Sequence, residues 1–155
     1  MKKKGITLIE LIVVIVIGAI GLLAVSFFAM QSWKEWNENE QIKTLQEEMD
    51  LVSYTIKGVL EEASNIEILD NGPLSGTKIN ASYKNEWQKE FYPSGNELIV
   101  EDIKNETTRT VTNYLKSISF QQDNTSSDTV LVNLKVGKGG KELENSFIIF
   151  LRNKS

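Results

Sequence analysis

From Leu11 to Val25 the chain carries no polar side chain, and with Ser26 admitted the apolar stretch runs on to Met30. At about 1.5 Å of rise per residue, a helix of that length crosses the roughly 30 Å hydrocarbon core of a bilayer. Lys2, Lys3 and Lys4 precede the stretch, and a much longer, acidic segment lies beyond it. The positive-inside rule then predicts a cytoplasmic N-terminus and a C-terminus outside. The chain beyond Met30 is expected to be an exported domain.

Composition narrows what that domain does. The 155 residues suffice for one small domain plus an accessory segment. There is no Cys, so no disulfide staples an exported fold, and packing must hold it together. There is no His either, which removes the commonest general base and, with Cys absent, the usual zinc ligand sets. A binding or structural role gains weight over an enzymatic one, and no cofactor is expected. The formal charge of -4 argues against nucleic-acid binding by the bulk of the chain.

A secretory signal peptide is the plain alternative, with Ala24-Val25-Ser26 as a loose cleavage site. Three features oppose it. The apolar core exceeds the roughly 7–15 residues usual for a signal peptide. The helical pattern continues past the core instead of stopping at a cleavage loop. Glu10 also stands near the start of the run, where an unpaired carboxylate deep in a membrane costs on the order of 2–3 kcal/mol even by lenient insertion scales. A disposable signal has no use for that residue.

The segment Lys4-Gly5-Ile6-Thr7-Leu8-Ile9-Glu10-Leu11-Ile12-Val13-Val14-Ile15 resembles the prepilin motif of type IV pilins and pseudopilins. In that family a membrane aspartic peptidase, the prepilin peptidase, cuts after the glycine and methylates the new amino terminus. The resemblance implies a five-residue leader, a cut between Gly5 and Ile6, and an N-methylated Ile6. Most members carry Phe at that position, so Ile6 is a departure that keeps a bulky apolar group. Glu10 takes the place of the family's glutamate, the fifth residue after the cut.

The residues give this motif a physical logic. Gly5 offers a protease cleft no side chain and accepts an extended or unusual backbone. Cleavage removes the three leader lysines; 17 basic side chains become 14 against 21 acidic ones, and the net side-chain charge moves from -4 to about -7. Glu10 is left on an apolar helix with no cation further along within reach. The resemblance implies that it pairs with the amino terminus of a neighbouring subunit, since a charge kept out of water must find a partner. Such a pair sets axial register while apolar helix surfaces supply most of the attraction. The alternative for Glu10 is an interfacial carboxylate that reaches water.

Beyond the membrane segment Ile42, Leu45, Met49, Val52, Ile56, Val59 and Ala63 recur at steps of three and four. With no Pro before Pro73, the pattern predicts one helix from about Thr7 to Ala63 or Asn65. The stripe reads as the cover of a β-sheet, with a coiled coil as the alternative. Gly18 and Gly21 fall where many pilins bear a helix-breaking Pro, and they offer neighbouring helices a close approach. Trp33 and Trp36, three residues apart on one helix face, fit either an aromatic belt at the outer interface or packing.

Asp70-Asn71-Gly72-Pro73 signals a turn that ends the helical region. After it, 77–83, 87–92, 97–103, 108–114, 116–122, 129–136 and 144–152 read as strands, rich in β-branched and aromatic residues. Turns are expected at 93–96, 104–106, 124–128 and 137–140. The expected fold class is α+β and pilin-like: a long N-terminal helix, apolar then amphipathic, packed on an antiparallel β-meander. The corresponding division is leader 1–5, transmembrane and filament-core helix 6–30, amphipathic helix 31–70 and β head 71–155.

Other motifs carry less. Gly137-Lys138-Gly139-Gly140 lacks Walker spacing and a following helix, so it reads as a hairpin turn. Asp123, Asn124 and Asp128 lack EF-hand order and its terminal Glu, so no metal is assigned to them. Asn80, Asn105, Asn124 and Asn153 open sequons expected by chance in a chain rich in Asn, Ser and Thr. The segment from Glu47 to Ile66 and a meander closing on Phe147 to Asn153 resemble the minor pilins and pseudopilins of the PilW, GspJ and ComGF kind.

The resemblance implies a structural subunit of a type IV pilus, competence pseudopilus or type II secretion-like filament. Its partners are the prepilin peptidase, other pilins and the cytoplasmic membrane, and its final place is a filament at the cell surface. A membrane-tethered binding module for DNA or a surface remains as the alternative. A secreted enzyme is disfavoured by the missing His and Cys.

Overall fold

A computed structural model of the chain describes residues 7–69, 78–84, 86–122 and 128–152. They fall into two compact units that divide between Glu40 and Gln41. Helix α1 (Leu8–Glu62) starts in the first unit and ends in the second.

Within the first unit the helix is unbroken and every described side chain from Thr7 to Trp36 is exposed. It is the one helix among the described residues long and apolar enough to cross a membrane. The backbone of a spanning helix satisfies its own polar groups, and Ser26 does likewise, its hydroxyl donating to the Leu22 carbonyl at 2.8 Å. Gly18 and Gly21 do not interrupt it.

The second unit is held by burial of the helical stripe. Leu45, Met49, Val52, Ile56, Leu60 and Ala63 are buried, with Val59 packed half-buried beside them. Each fully buried Leu or Ile contributes about 1.5–3 kcal/mol. The expected core face holds from Leu45 to Ala63 with Leu60 added to it, whereas Ile42 is only half-buried and stands outside the core.

The helix stops at Glu62, earlier than expected. Ala63 donates to the Leu60 carbonyl, and the Ser64 amide turns out to the Ser82 carbonyl at 2.9 Å. Residues 65–69, assigned to the helical segment by sequence, instead form strand β1 (Asn65–Leu69). Ile66 and Ile68 pack against the core from this strand, so β-branched residues on alternate positions outweigh the helical stripe that precedes them. The turn expected at 70–73 lies outside the described residues.

Seven further strands complete the unit: β2 (Lys78–Tyr83), β3 (Trp87–Ser94), β4 (Glu97–Asp102), β5 (Thr107–Thr112), β6 (Leu115–Gln122), β7 (Thr129–Lys138) and β8 (Lys141–Phe150). All pairings are antiparallel between sequential neighbours, but the single meander expected from sequence is divided. Strands β1–β5 form one sheet and β6–β8 another. The break has a local cause. Thr112 Oγ1 accepts the Tyr114 amide at 3.1 Å, taking that donor out of the ladder. The Leu115 amide then donates to Asn96 and the Gly137 amide to Tyr114, so this corner ties both sheets.

Two expected turns shrink for a shared reason. Pro93 and Ser94 belong to β3, leaving the tight turn at Gly95-Asn96, where Gly95 has φ 61°. Gly137 and Lys138 belong to β7, and the hairpin closes on Gly139 and Gly140 with φ 59° and 82°, values that suit a two-residue primed turn.

Candidate functional site: the start of the membrane helix

Thr7 stands one residue before α1 and Glu10 lies in its first turn. The Thr7 amide donates to Glu10 Oε2 at 2.9 Å and the Thr7 hydroxyl donates to the same oxygen at 3.0 Å. In return the Glu10 amide reaches Thr7 Oγ1 at 3.4 Å. This reciprocal arrangement is a capping box, in which the first and fourth residues of a Thr-x-x-Glu sequence close the helix start on each other. It also places a carboxylate at the positive end of the helix dipole.

Sequence reasoning singled out Glu10 and found it no cation further along. The capping partner lay three residues earlier, in the Thr7-Leu8-Ile9-Glu10 spacing itself, and was missed. Gly5 and Ile6, the expected cut and methylation sites, lie outside the described residues.

Around this carboxylate the helix is apolar on all faces. Leu8, Ile9, Leu11, Ile12 and Val13 leave half or more of their surface uncovered, and the exposed apolar series continues to Met30. An apolar surface this extensive on a chain rich in charge elsewhere marks contact with lipid or other helices. Beyond it Trp33 and Trp36 meet edge to face, centroids 6.4 Å apart, and both remain exposed.

Residues 1–26 match the family model described as the prokaryotic N-terminal methylation motif. This N-terminal motif supports a type IV pilin-like, prepilin-type protein. Its fold agrees, since one long helix, apolar and then amphipathic, covers antiparallel sheets. The apolar helix fits a membrane-anchored protein. No curated protein and no solved structure matches the chain.

The second unit offers little for chemistry. Among the described residues no group of three or more Asp or Glu side chains converges to hold a metal. Of the calcium-like set only Asp128 is described. The ion pairs of this unit are structural in placement. Lys78 meets Glu90 at 2.6 Å on β2 and β3. Arg152 meets Glu61 at 3.0 Å while its amide donates to the Glu61 carbonyl, which clasps the chain after β8 to the last turn of α1. On β3 and β4, burial and then the charge of Glu101 push the Tyr92 phenol above its usual value.

Proposed function

We propose that this pilin-like chain is a structural subunit, a minor pilin or pseudopilin, of a type IV pilus, competence pseudopilus or type II secretion-like filament. The prepilin peptidase cuts between Gly5 and Ile6 and methylates Ile6. The mature helix holds the chain in the cytoplasmic membrane, N-terminus inside, until it packs among other pilins at the cell surface.

One observation carries this reading: a single carboxylate, Glu10, opens a helix whose next 20 residues, Leu11 to Met30, are apolar save Ser26 and exposed. In the monomer Glu10 accepts hydrogen bonds only from Thr7 among the bonds described, and these do not neutralise its charge. The amino group freed on Ile6 of a neighbour supplies the missing cation, and a charge-assisted bond of that kind is about twice as strong as a neutral one. The peptidase therefore acts as a switch for assembly. Removing the leader creates the group that a neighbouring Glu10 takes up.

Mass spectrometry of the mature N-terminus tests the proposal. A chain beginning at methylated Ile6 is expected. A terminus near Phe27 overturns it, because the apolar helix is then a discarded signal.

A further inference from the structure

Trp33 and Trp36 belong neither to the apolar run nor to the buried stripe of the second unit. They follow Met30 by three and six residues, on the stretch of α1 that lies within the first unit. Trp33 is 72% exposed and Trp36 64%. Their rings meet edge to face, centroids 6.4 Å apart at 77°, so both lie on one side of the helix. Neither indole N–H has an acceptor among the described residues. Two large aromatic side chains, each with a hydrogen-bond donor, are left open to whatever surrounds the helix.

Their place along the helix identifies those surroundings. Leu11 to Met30 makes about 30 Å of helix, the thickness of a hydrocarbon core. Charge begins directly beyond it, with Lys34, Glu35, Glu38 and Glu40, and Gln31 already reaches Glu35 at 3.4 Å. Trp33 stands about 4–5 Å past Met30 and Trp36 about 9 Å, while the polar layer of a bilayer adds about 5–8 Å on each side. Helical side chains lean toward the N-terminus, so both rings reach back into that layer. An indole suits it, because its body is apolar and its N–H donates to lipid ester carbonyls. A dry protein groove would have to strip water from Lys34 and Glu35, which stand between the two rings in sequence.

The pair also fixes depth. Glu10 lies 23 positions before Trp33, about 35 Å along the helix. With Trp33 at the outer boundary of the hydrocarbon, Glu10 comes to the inner one. A tilt of about 20° shortens that rise only to about 32 Å. Sliding the helix one turn, about 5.4 Å, toward the cytoplasm would draw Lys34 and Glu35 into hydrocarbon. Sliding it outward would draw in Glu10. The two polar ends oppose displacement in either direction.

We infer that Trp33 and Trp36 form a lipid-interface anchor, seated in the ester and headgroup layer at the outer face of the membrane, and that they set the depth at which Glu10 meets the inner face. The partner of this surface is the bilayer and not another protein. The inference rests on the membrane-anchored reading proposed for this chain, to which it adds a depth.

Fluorescence of the full chain in phospholipid vesicles tests this, with lipids brominated either near the ester or near the methyl end of the acyl chain as shallow and deep quenchers. Trp87 in the second unit is the third indole. A chain with Trp33→Phe and Trp36→Phe reports Trp87 alone, so its difference from the unaltered chain gives the pair. The pair should lose more emission to shallow bromine than to deep bromine. Adding Ile20→Trp to the doubly substituted chain puts an indole at mid-span, and that indole should lose more to deep bromine. Equal quenching of the pair, stronger quenching by deep bromine, or none, with position 20 quenched as expected, overturns the anchor and leaves the spanning helix standing. Stronger shallow quenching at position 20 overturns the assigned depth. No quenching at position 20 by either lipid overturns the spanning reading, and the anchor with it.

Discussion

Thr7 and Glu10 show how one residue serves two environments. In a membrane the first-turn amides of a helix have no water to satisfy them, so a capping box replaces solvent at the point of entry. Replacing Thr7 by Val removes the hydroxyl but keeps the amide bond to Glu10, and should loosen the first turn by about 0.5–2 kcal/mol, toward the low end. Hydrogen exchange at Leu8 to Leu11 of the micelle-bound chain should then speed up, while Thr7→Ser leaves it unchanged. An equal effect from both substitutions would remove the hydroxyl from the account. In the second unit, Lys135 and Glu142 meet at 2.8 Å across β7 and β8. The lysine's hydrogen bond and charge hold the Glu142 carboxyl below its usual 4.5, and the carboxylate raises Lys135 in turn. A carboxyl whose folded value is depressed stabilises the fold above its unfolded value and loses that contribution as pH falls through the folded one. Lys135→Met should move the Glu142 titration, followed by carbonyl NMR, back up toward 4.5. Asp102, lowered first by the Asn105 side-chain amide and then by its backbone amide, should respond in the same direction to Asn105→Ala.

At the scale of elements, α1 separates residues that matter to the fold from those that do not. Leu45, Val52 and Ile56 are fully buried, whereas Leu51 and Tyr54 on the opposite face are exposed. Chemical denaturation of the micelle-bound chain should show Leu45→Ala or Ile56→Ala costing about 2–5 kcal/mol. Leu51→Ala should cost under about 0.5 kcal/mol, as surface changes do. Similar losses at both faces would mean that the helix is covered on two sides. The β7–β8 hairpin is a second test. Gly139 has positive φ and almost no room toward Gln41, so Gly139→Ala should destabilise by at least the roughly 1–2 kcal/mol that left-handed backbone costs a side chain. This pattern also explains what was legible in the sequence. The helical stripe and most strand positions could be read because period and residue type agreed there. Strand β1 was hidden because the helical stripe ran up to Ala63 with no Gly or Pro to mark the stop. The division into two sheets was hidden because its cause is one side-chain bond, from the Tyr114 amide to Thr112, in a segment whose composition still reads as strand. At the helix start Glu10 stood out as a charge in an apolar run, but Thr7 looked like any small polar residue until the spacing of the two was considered.

At the scale of the whole molecule, the charge of Glu10 must be separated from its part in starting the helix. Most substitutions confound the two. Glu10→Ala would remove both the carboxylate and the capping acceptor, so a failed subunit could simply be a frayed one. Glu10→Gln separates them. A glutamine at the fourth position of a capping box still accepts from the Thr7 amide and hydroxyl through its carbonyl oxygen, so the helix start survives. What it cannot do is neutralise an ammonium group. If the proposed cut between Gly5 and Ile6 is directed by the leader and not by that charge, Glu10→Gln chains should be processed as the unaltered protein is, with a mature terminus at Ile6 by mass spectrometry. They should then accumulate in the membrane and be depleted from the sheared filament fraction. Normal incorporation would show that apolar packing of Leu11 to Met30 suffices and that Glu10 serves the helix alone. Depletion together with an unchanged exchange rate at Leu8 to Leu11 would assign the defect to the lost charge, which is the outcome expected if the amino group exposed on one chain is recognised by the carboxylate of the next.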